Sequence, residues 1–100
     1  MADAPIILNV VLEAASGREQ ELADMLSRLV GPTRSEPGCL GYELNTSLEK
    51  PGTFLFYEKF ASQAALDEHI NSSHFQSFLK QREASDPIAT TTVTRWTTLA

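Results

Sequence analysis

Two stretches of this sequence are apolar on both of their alternating faces, and that feature constrains the fold more than any other. Ile6 to Ala14 is short and rich in Ile, Val and Leu, which reads as a strand. Its odd and even positions separate into Ile6, Leu8, Val10 and Leu12 on one face and Ile7, Asn9 and Val11 on the other. Thr53 to Phe60 repeats the pattern, with Phe54, Phe56 and Phe60 on one face and Leu55 and Tyr57 on the other. A strand of this kind must be covered on both sides, and a layer of helices covers only one. The other face calls for a second copy, because an uncovered sheet face would exceed the apolar patch that soluble monomers tolerate. A homodimer packed sheet to sheet is the expectation.

The helices that supply the first cover are legible from spacing. Leu22, Met25, Leu26, Leu29 and Val30 fall at i, i+3, i+4, i+7 and i+8, a single apolar stripe, with Arg18, Gln20, Glu21, Asp24 and Arg28 on the wet side. Ser16-Gly17-Arg18-Glu19 has the spacing of a capping box at its start, and Gly31-Pro32 predicts its end or a kink. Leu40, Tyr42 and Leu44 then alternate with polar residues, and Lys50-Pro51-Gly52 offers the turn of a hairpin into Thr53 to Phe60. Ser62 caps a short helix carrying Leu66, His69 and Ile70. Ser73 with Gln76 opens another, carrying Phe75, Phe78, Leu79 and Arg82, which Asp86-Pro87 ends. Ile88 to Leu99, rich in Thr, is the last strand.

The order βαββαβ predicts an α+β, ferredoxin-like fold: a four-stranded antiparallel sheet with helices on one face, dimerising through the other. One hundred residues with 42% hydrophobic content support one core, so residues 1–100 are read as a single domain.

Composition removes several function classes. The net charge is -5 and the eight Lys and Arg residues are scattered singly, so no nucleic-acid footprint is present. The lone Cys39 forms no internal disulfide or thiolate cluster and suits a reduced compartment. Asp3 stands where a signal peptide carries Lys or Arg, and no apolar run approaches the roughly 20 residues of a membrane span. The expected location is the cytoplasm, with no membrane partner. His69 and His74, five residues apart and separated by a predicted helix break, lack the i, i+4 spacing of a zinc helix motif, so no built-in metal is expected. No phosphate-binding glycine loop and no nucleophile elbow occurs.

What remains is a set of polar groups among aromatics: Asn9, Tyr42, Tyr57, His69, His74, Arg95 and Trp96. An apolar pocket with a few convergent polar groups is how small aromatic ligands are held. The segments Glu36 to Leu44, Phe56 to Phe60, Ala65-Leu66 with His69, and Ser73-His74-Phe75 together resemble the antibiotic biosynthesis monooxygenase family of small dimeric ferredoxin-like proteins. That resemblance implies the fold more firmly than the reaction, since the family includes cofactor-independent monooxygenases acting on phenols or quinols, haem-degrading enzymes and a small-molecule isomerase.

For a monooxygenase without flavin or metal, the resemblance implies a small aromatic substrate, molecular oxygen and no cofactor. In that reading His69 is the catalytic base, Tyr57 and Asn9 hydrogen-bond substrate oxygens, and Trp96 and Phe75 form aromatic walls. His74, Tyr42 and Arg95 complete the expected substrate-binding set. Each has a structural reading beside it. His69 can be a satisfied core histidine, Tyr57 and Trp96 can simply pack, and His74 fits a role in ordering the helix junction. Asn9, a lone amide in an apolar strand, needs a hydrogen-bond partner from the protein or a ligand. In the haem-degrading branch the iron-binding histidine falls at Leu79 of this chain and the pocket tryptophan at His69, so haem oxygenation is not expected. An isomerase, with Arg34 and Arg95 meeting a phosphate, and a non-catalytic dimeric binding domain are the alternatives.

Overall fold

A computed structural model describes residues 4–100; Asp3 lies outside them. The elements are β1 (Ile6–Ala14), α1 (Glu19–Arg34), β2 (Cys39–Thr46), β3 (Thr53–Phe60), α2 (Gln63–Ile70), α3 (Ser73–Ser85) and β4 (Ile88–Trp96). The strands form one antiparallel sheet in the order β2-β3-β1-β4, the ferredoxin-like arrangement read from the sequence. Its second crossover is made of two helices, α2 and α3, rather than one. Among the described residues no helix is long and apolar enough to cross a membrane.

Strand alternation separates the two faces as the side-chain pattern requires. Leu8, Leu12, Phe54, Phe56 and Phe60 are buried in one cluster with Leu22, Met25, Leu26 and Leu29 of α1, Leu66 of α2 and Phe78 of α3. This is the helix side of the sheet. Ile7, Asn9, Val11 and Leu55 on the outer side are half-buried, and Tyr57 is exposed. β4 is exposed along its length after Ile88.

Three helix boundaries differ from the expectation. Ser16 does not cap α1: the chain turns through Gly17 at φ +80°, the cap position falls on Arg18, and no side chain caps it. Glu19 instead accepts a hydrogen bond from the Gly17 amide at 3.3 Å. At the other end, α1 continues through Gly31-Pro32 to Arg34. Proline there forgoes a bond to the preceding turn, but Thr33 is fully buried, and Ser35 N–H to Pro32 O (3.2 Å) and Glu36 N–H to Thr33 O (3.0 Å) close the last turn. The cap of α3 also moves by one residue, from Ser73 to Ser72, whose hydroxyl accepts from the Phe75 amide at 3.2 Å.

Candidate functional site

The break between α2 and α3 creates the site. In one continuous helix, side chains five residues apart point about 140° away from each other. Here Ser62 caps α2, accepting from Ala65 N–H at 3.1 Å, and Ser72 starts a new helix while donating to the His69 carbonyl at 2.6 Å. His69 in the last turn of α2 and His74 in the first turn of α3 thereby converge on one carboxylate. His69 Nδ1 lies 2.9 Å and His74 Nε2 2.6 Å from Glu36 Oε2. Glu36 reaches them because α2 packs hard against the entry to β2. A Cβ on Gly38 would lie 2.4 Å from Ala65 Cβ, so only glycine permits that approach.

His69 is 2% exposed and packed among rings, with centroids 4.9 Å from Phe75, 5.0 Å from Phe60 and 5.6 Å from Tyr42. Burial holds its imidazole below the ordinary pKa, outweighing the hydrogen bond and charge of Glu36, which favour the protonated form. The resting ring is therefore neutral near pH 7, with its Nδ1–H donated to Glu36 and Nε2 left as an acceptor. Glu36 Oε1 is buried without a hydrogen-bond partner, so the carboxylate is held by the two histidines through one oxygen.

His69 lines a cavity of about 270 Å³ between the helices and the sheet. Leu8, Val10, Leu26, Leu29, Phe56 and Phe78 make it largely apolar, and Tyr42, Glu58, Arg82 and Arg95 bring polar groups to it. Its volume lies just under the roughly 300 Å³ at the small end of small-molecule sites. Tyr42 is buried, and burial together with the charges of Glu58 and Glu36 raises its hydroxyl pKa far above the ordinary value, so it serves as a neutral hydroxyl. Arg82 donates to Thr91 Oγ1 at 3.2 Å and Arg95 to Gln63 Oε1 at 2.8 Å, and neither forms an ion pair among the described residues.

The structure brings together four of the residues expected at the site: His69, Tyr42, Phe75 and Arg95 line the cavity. His74 lies outside it and acts on it through Glu36. Asn9, Tyr57 and Trp96 do not line the cavity. Asn9 is paired in register with Tyr57 and Thr94, and Trp96 with Ile7, which puts all three on the outer face of the sheet, away from any molecule held beside His69 in the same chain. Tyr57 is 39% and Trp96 57% exposed, and the Trp96 ring N–H is spent on Thr94 Oγ1 at 3.0 Å. Asn9 is only half-buried, so water can reach its amide. Arg34 donates to the Tyr42 carbonyl at 2.9 Å and does not line the cavity, which leaves the phosphate reading of Arg34 without a site.

Two functional groups escaped the sequence reading. Glu36 stands just before β2, and its carboxylate is the one that meets both histidines. Glu58 sits on the inward side of β3 in line with three phenylalanines, and its charge in that run was the available signal. Half-buried Cys39 has its thiol pKa raised, by burial first, so it is no thiolate nucleophile at neutral pH.

Glu36, His69 and His74 also offer three ligand atoms within 4.8 Å of one another, the set best placed to hold a metal ion among the described residues. Ligands around an ion with bonds of about 2.0–2.1 Å stand roughly 3 Å or more apart. The 2.6 Å contact from His74 to Glu36 is that of a hydrogen bond.

Comparison with known proteins converges on one group. Residues 5–81 match the family described as antibiotic biosynthesis monooxygenase. An uncharacterised protein of Synechocystis is 30% identical over 80 residues, 80% of this chain and 54% of the relative. A proposed monooxygenase of Mycobacterium tuberculosis is 37% identical over 60 residues, 60% of this chain and 58% of the relative. The chain thus spans a little over half the length of these two curated relatives. A crystal structure of a Pseudomonas aeruginosa protein superposes with a TM-score of 0.92 at 31% identity, covering 100% of this chain and 99% of that one. The Mycobacterium tuberculosis protein superposes at 0.88, with 26% identity and 97% of each chain covered.

Proposed function

This chain belongs to the antibiotic biosynthesis monooxygenase family, and from that premise we propose that it oxidises a small phenolic or quinol-type aromatic with molecular oxygen, using no resident cofactor. The observation that carries the reading is the His69 imidazole in the wall of an apolar cavity, neutral at rest and tied through Nδ1 to a buried carboxylate. The name of the Mycobacterium tuberculosis relative supports the same reaction class.

Nε2 of His69 takes the proton of the substrate hydroxyl, and Glu36 offsets the charge that forms on the ring, as a buried carboxylate does for any imidazole base. The apolar walls hold the resulting electron-rich anion away from water. The anion passes one electron to dioxygen, the two radicals join in a C–O bond, and the peroxide loses its ring C–H proton as the O–O bond breaks. For a phenol the sum is one phenol and one dioxygen giving one quinone and one water. The substrate supplies every electron, so no external reductant enters the balance.

We infer further that the working unit is a homodimer in which a second copy covers the outer sheet face. Half-buried Ile7, Val11 and Leu55 beside exposed Tyr57 and Trp96 support it. Analytical ultracentrifugation at micromolar concentration is expected to give twice the chain mass; a single-chain species overturns this assembly.

The reaction is tested by oxygen uptake with a panel of naphthols and hydroquinones under labelled dioxygen. Uptake above the buffer blank with one labelled atom in the product is the expected result. Saturable binding of the same compounds with uptake equal to the blank would replace the enzyme by a binding domain.

A further inference from the structure

Inward positions of β3 read Phe54, Phe56, Glu58, Phe60, so one carboxyl interrupts a row of phenylalanines facing the core. Glu58 is 5% exposed and is flanked in register by Leu8 on β1 and Tyr42 on β2. No hydrogen bond or ion pair engages its side chain among the described residues. Yet its oxygens are not sealed in: the buried side-chain N and O atoms that lack a partner are Thr33 Oγ1 and Glu36 Oε1. Glu58 lines the 270 Å³ cavity, and its carboxyl is open to that space.

We propose that Glu58 is a substrate-binding residue, presenting a carboxylic acid to an oxygen atom of an aromatic ligand in the cavity and selecting ligands with an uncharged hydroxyl or carbonyl group there. This deepens the reading of the cavity as an aromatic site and rests on it. A leucine or phenylalanine would continue the row at lower cost, because a buried carboxyl without a partner opposes folding. A ligand oxygen supplies the missing partner, and carboxyls set apart in this way mark functional clefts. The acid form is the resting one: burial, and then the charge of Glu36, push Glu58 up to about 8. A neutral carboxyl in an apolar site can donate to a developing oxyanion, as backbone amides do elsewhere.

The groups around Glu58 make its titration readable. Beside it on β2 stand Tyr42 and, at the strand's start, Cys39, both raised above their ordinary values. From the α1–β2 connection comes Glu36, from α2 His69, from α3 Arg82 and from β4 Arg95. Only apolar residues of α1 and β1 line this space. His69 is lowered, so it stays neutral through the alkaline range. A change in ligand affinity around pH 8 therefore belongs to Glu58.

The test is equilibrium dialysis of the intact protein with 1-tetralone, an aromatic ketone that neither titrates nor reacts, and with tetralin, the same skeleton without oxygen. Wild-type protein is expected to prefer the ketone by about tenfold, the worth of one hydrogen bond made in an apolar site. Glu58→Leu should abolish that preference while retaining tetralin, which also reports that the cavity is intact. Glu58→Gln, which keeps an N–H donor, should stay within about threefold of wild type. In the wild type, ketone affinity should fall about fivefold or more between about pH 6.5 and 9, with tetralin unchanged and Glu58→Gln flat.

An equal affinity for the two ligands, a preference that survives in Glu58→Leu, or a pH profile shared with Glu58→Gln overturns the proposal. Selective ketone binding without oxygen uptake on any phenol sinks the monooxygenase reading and leaves the role of Glu58 standing. Oxygen uptake in a protein whose ketone preference ignores Glu58 does the reverse.

Discussion

On the helix side of the sheet, Glu58, Tyr42 and His69 are almost wholly removed from solvent, and burial shifts the acid–base behaviour of all three. On the outer side, Asn9, Tyr57 and Trp96 are half-buried or exposed. The two sets have similar composition, polar groups among aromatics, and one pleat separates them. The contrast teaches that residue type alone does not make a site. Enclosure turns an ordinary carboxyl into a resting acid and an ordinary imidazole into a resting base.

The sharpest way to break the contrast is to delete one group from each face. His69→Ala is expected to lower turnover on a confirmed substrate by about 100- to 10,000-fold, the usual worth of a positioned base. Tyr57→Phe, on the outer face, should stay within about twofold. Stopped-flow or oxygen-electrode rates on both variants decide it. Comparable losses in the two would mean that the outer face takes part in the chemistry, for instance by closing over the site of a second copy.

A smaller effect should appear in stability. Glu58 titrates at about 8 in the folded chain against 4.5 in its unperturbed state, so the folded form binds more protons between these values. Stability from this group is fully present below about pH 4.5 and is lost as pH rises through about 8. His69, lowered by burial, has the opposite slope and adds stability as pH rises towards its unfolded value. Glu58→Gln removes the first slope and leaves the second. Urea unfolding from pH 5 to 9 should show Glu58→Gln gaining on wild type by on the order of 3 kcal/mol across that range. Parallel curves for the two proteins would mean that Glu58 is solvated like an outer-face residue.

Much of this contrast was legible in the sequence. The odd-and-even split of Ile6 to Leu12 and of Phe54 to Phe60 already assigned Asn9 and Tyr57 to the face opposite Leu8 and Phe56. Gathering them with His69 ignored that split in favour of chemical type. Glu58 was equally legible, as a charge at an inward position. The helix break between His69 and His74 was legible too, but the meeting of Glu36 with both histidines was not, because it depends on the contact between Gly38 and Ala65, which periodicity does not report. Nor could spacing place the caps. Ser16 and Ser73 match the pattern, but backbone geometry at Gly17 and the hydroxyl of Ser72 decide where the helices begin.

Those caps supply the smallest test, which asks how the enclosed side is kept enclosed. Ser72 accepts from the Phe75 amide and donates to the His69 carbonyl, so it joins the helix bearing His69 to the helix bearing Phe75. Ser72→Ala should cost about 1 kcal/mol in urea unfolding, the usual loss for a helix N-cap. Ser16→Ala, at an exposed position that caps nothing, should cost less than about 0.5 kcal/mol. Turnover sharpens the result. If Ser72 serves only α3, its loss lowers stability and leaves kcat in place. If the junction also sets the angle at which His69 and His74 meet Glu36, kcat falls beyond what the unfolded fraction explains, and the acid limb of the pH profile moves, because Glu36 then supports the protonated imidazole less well.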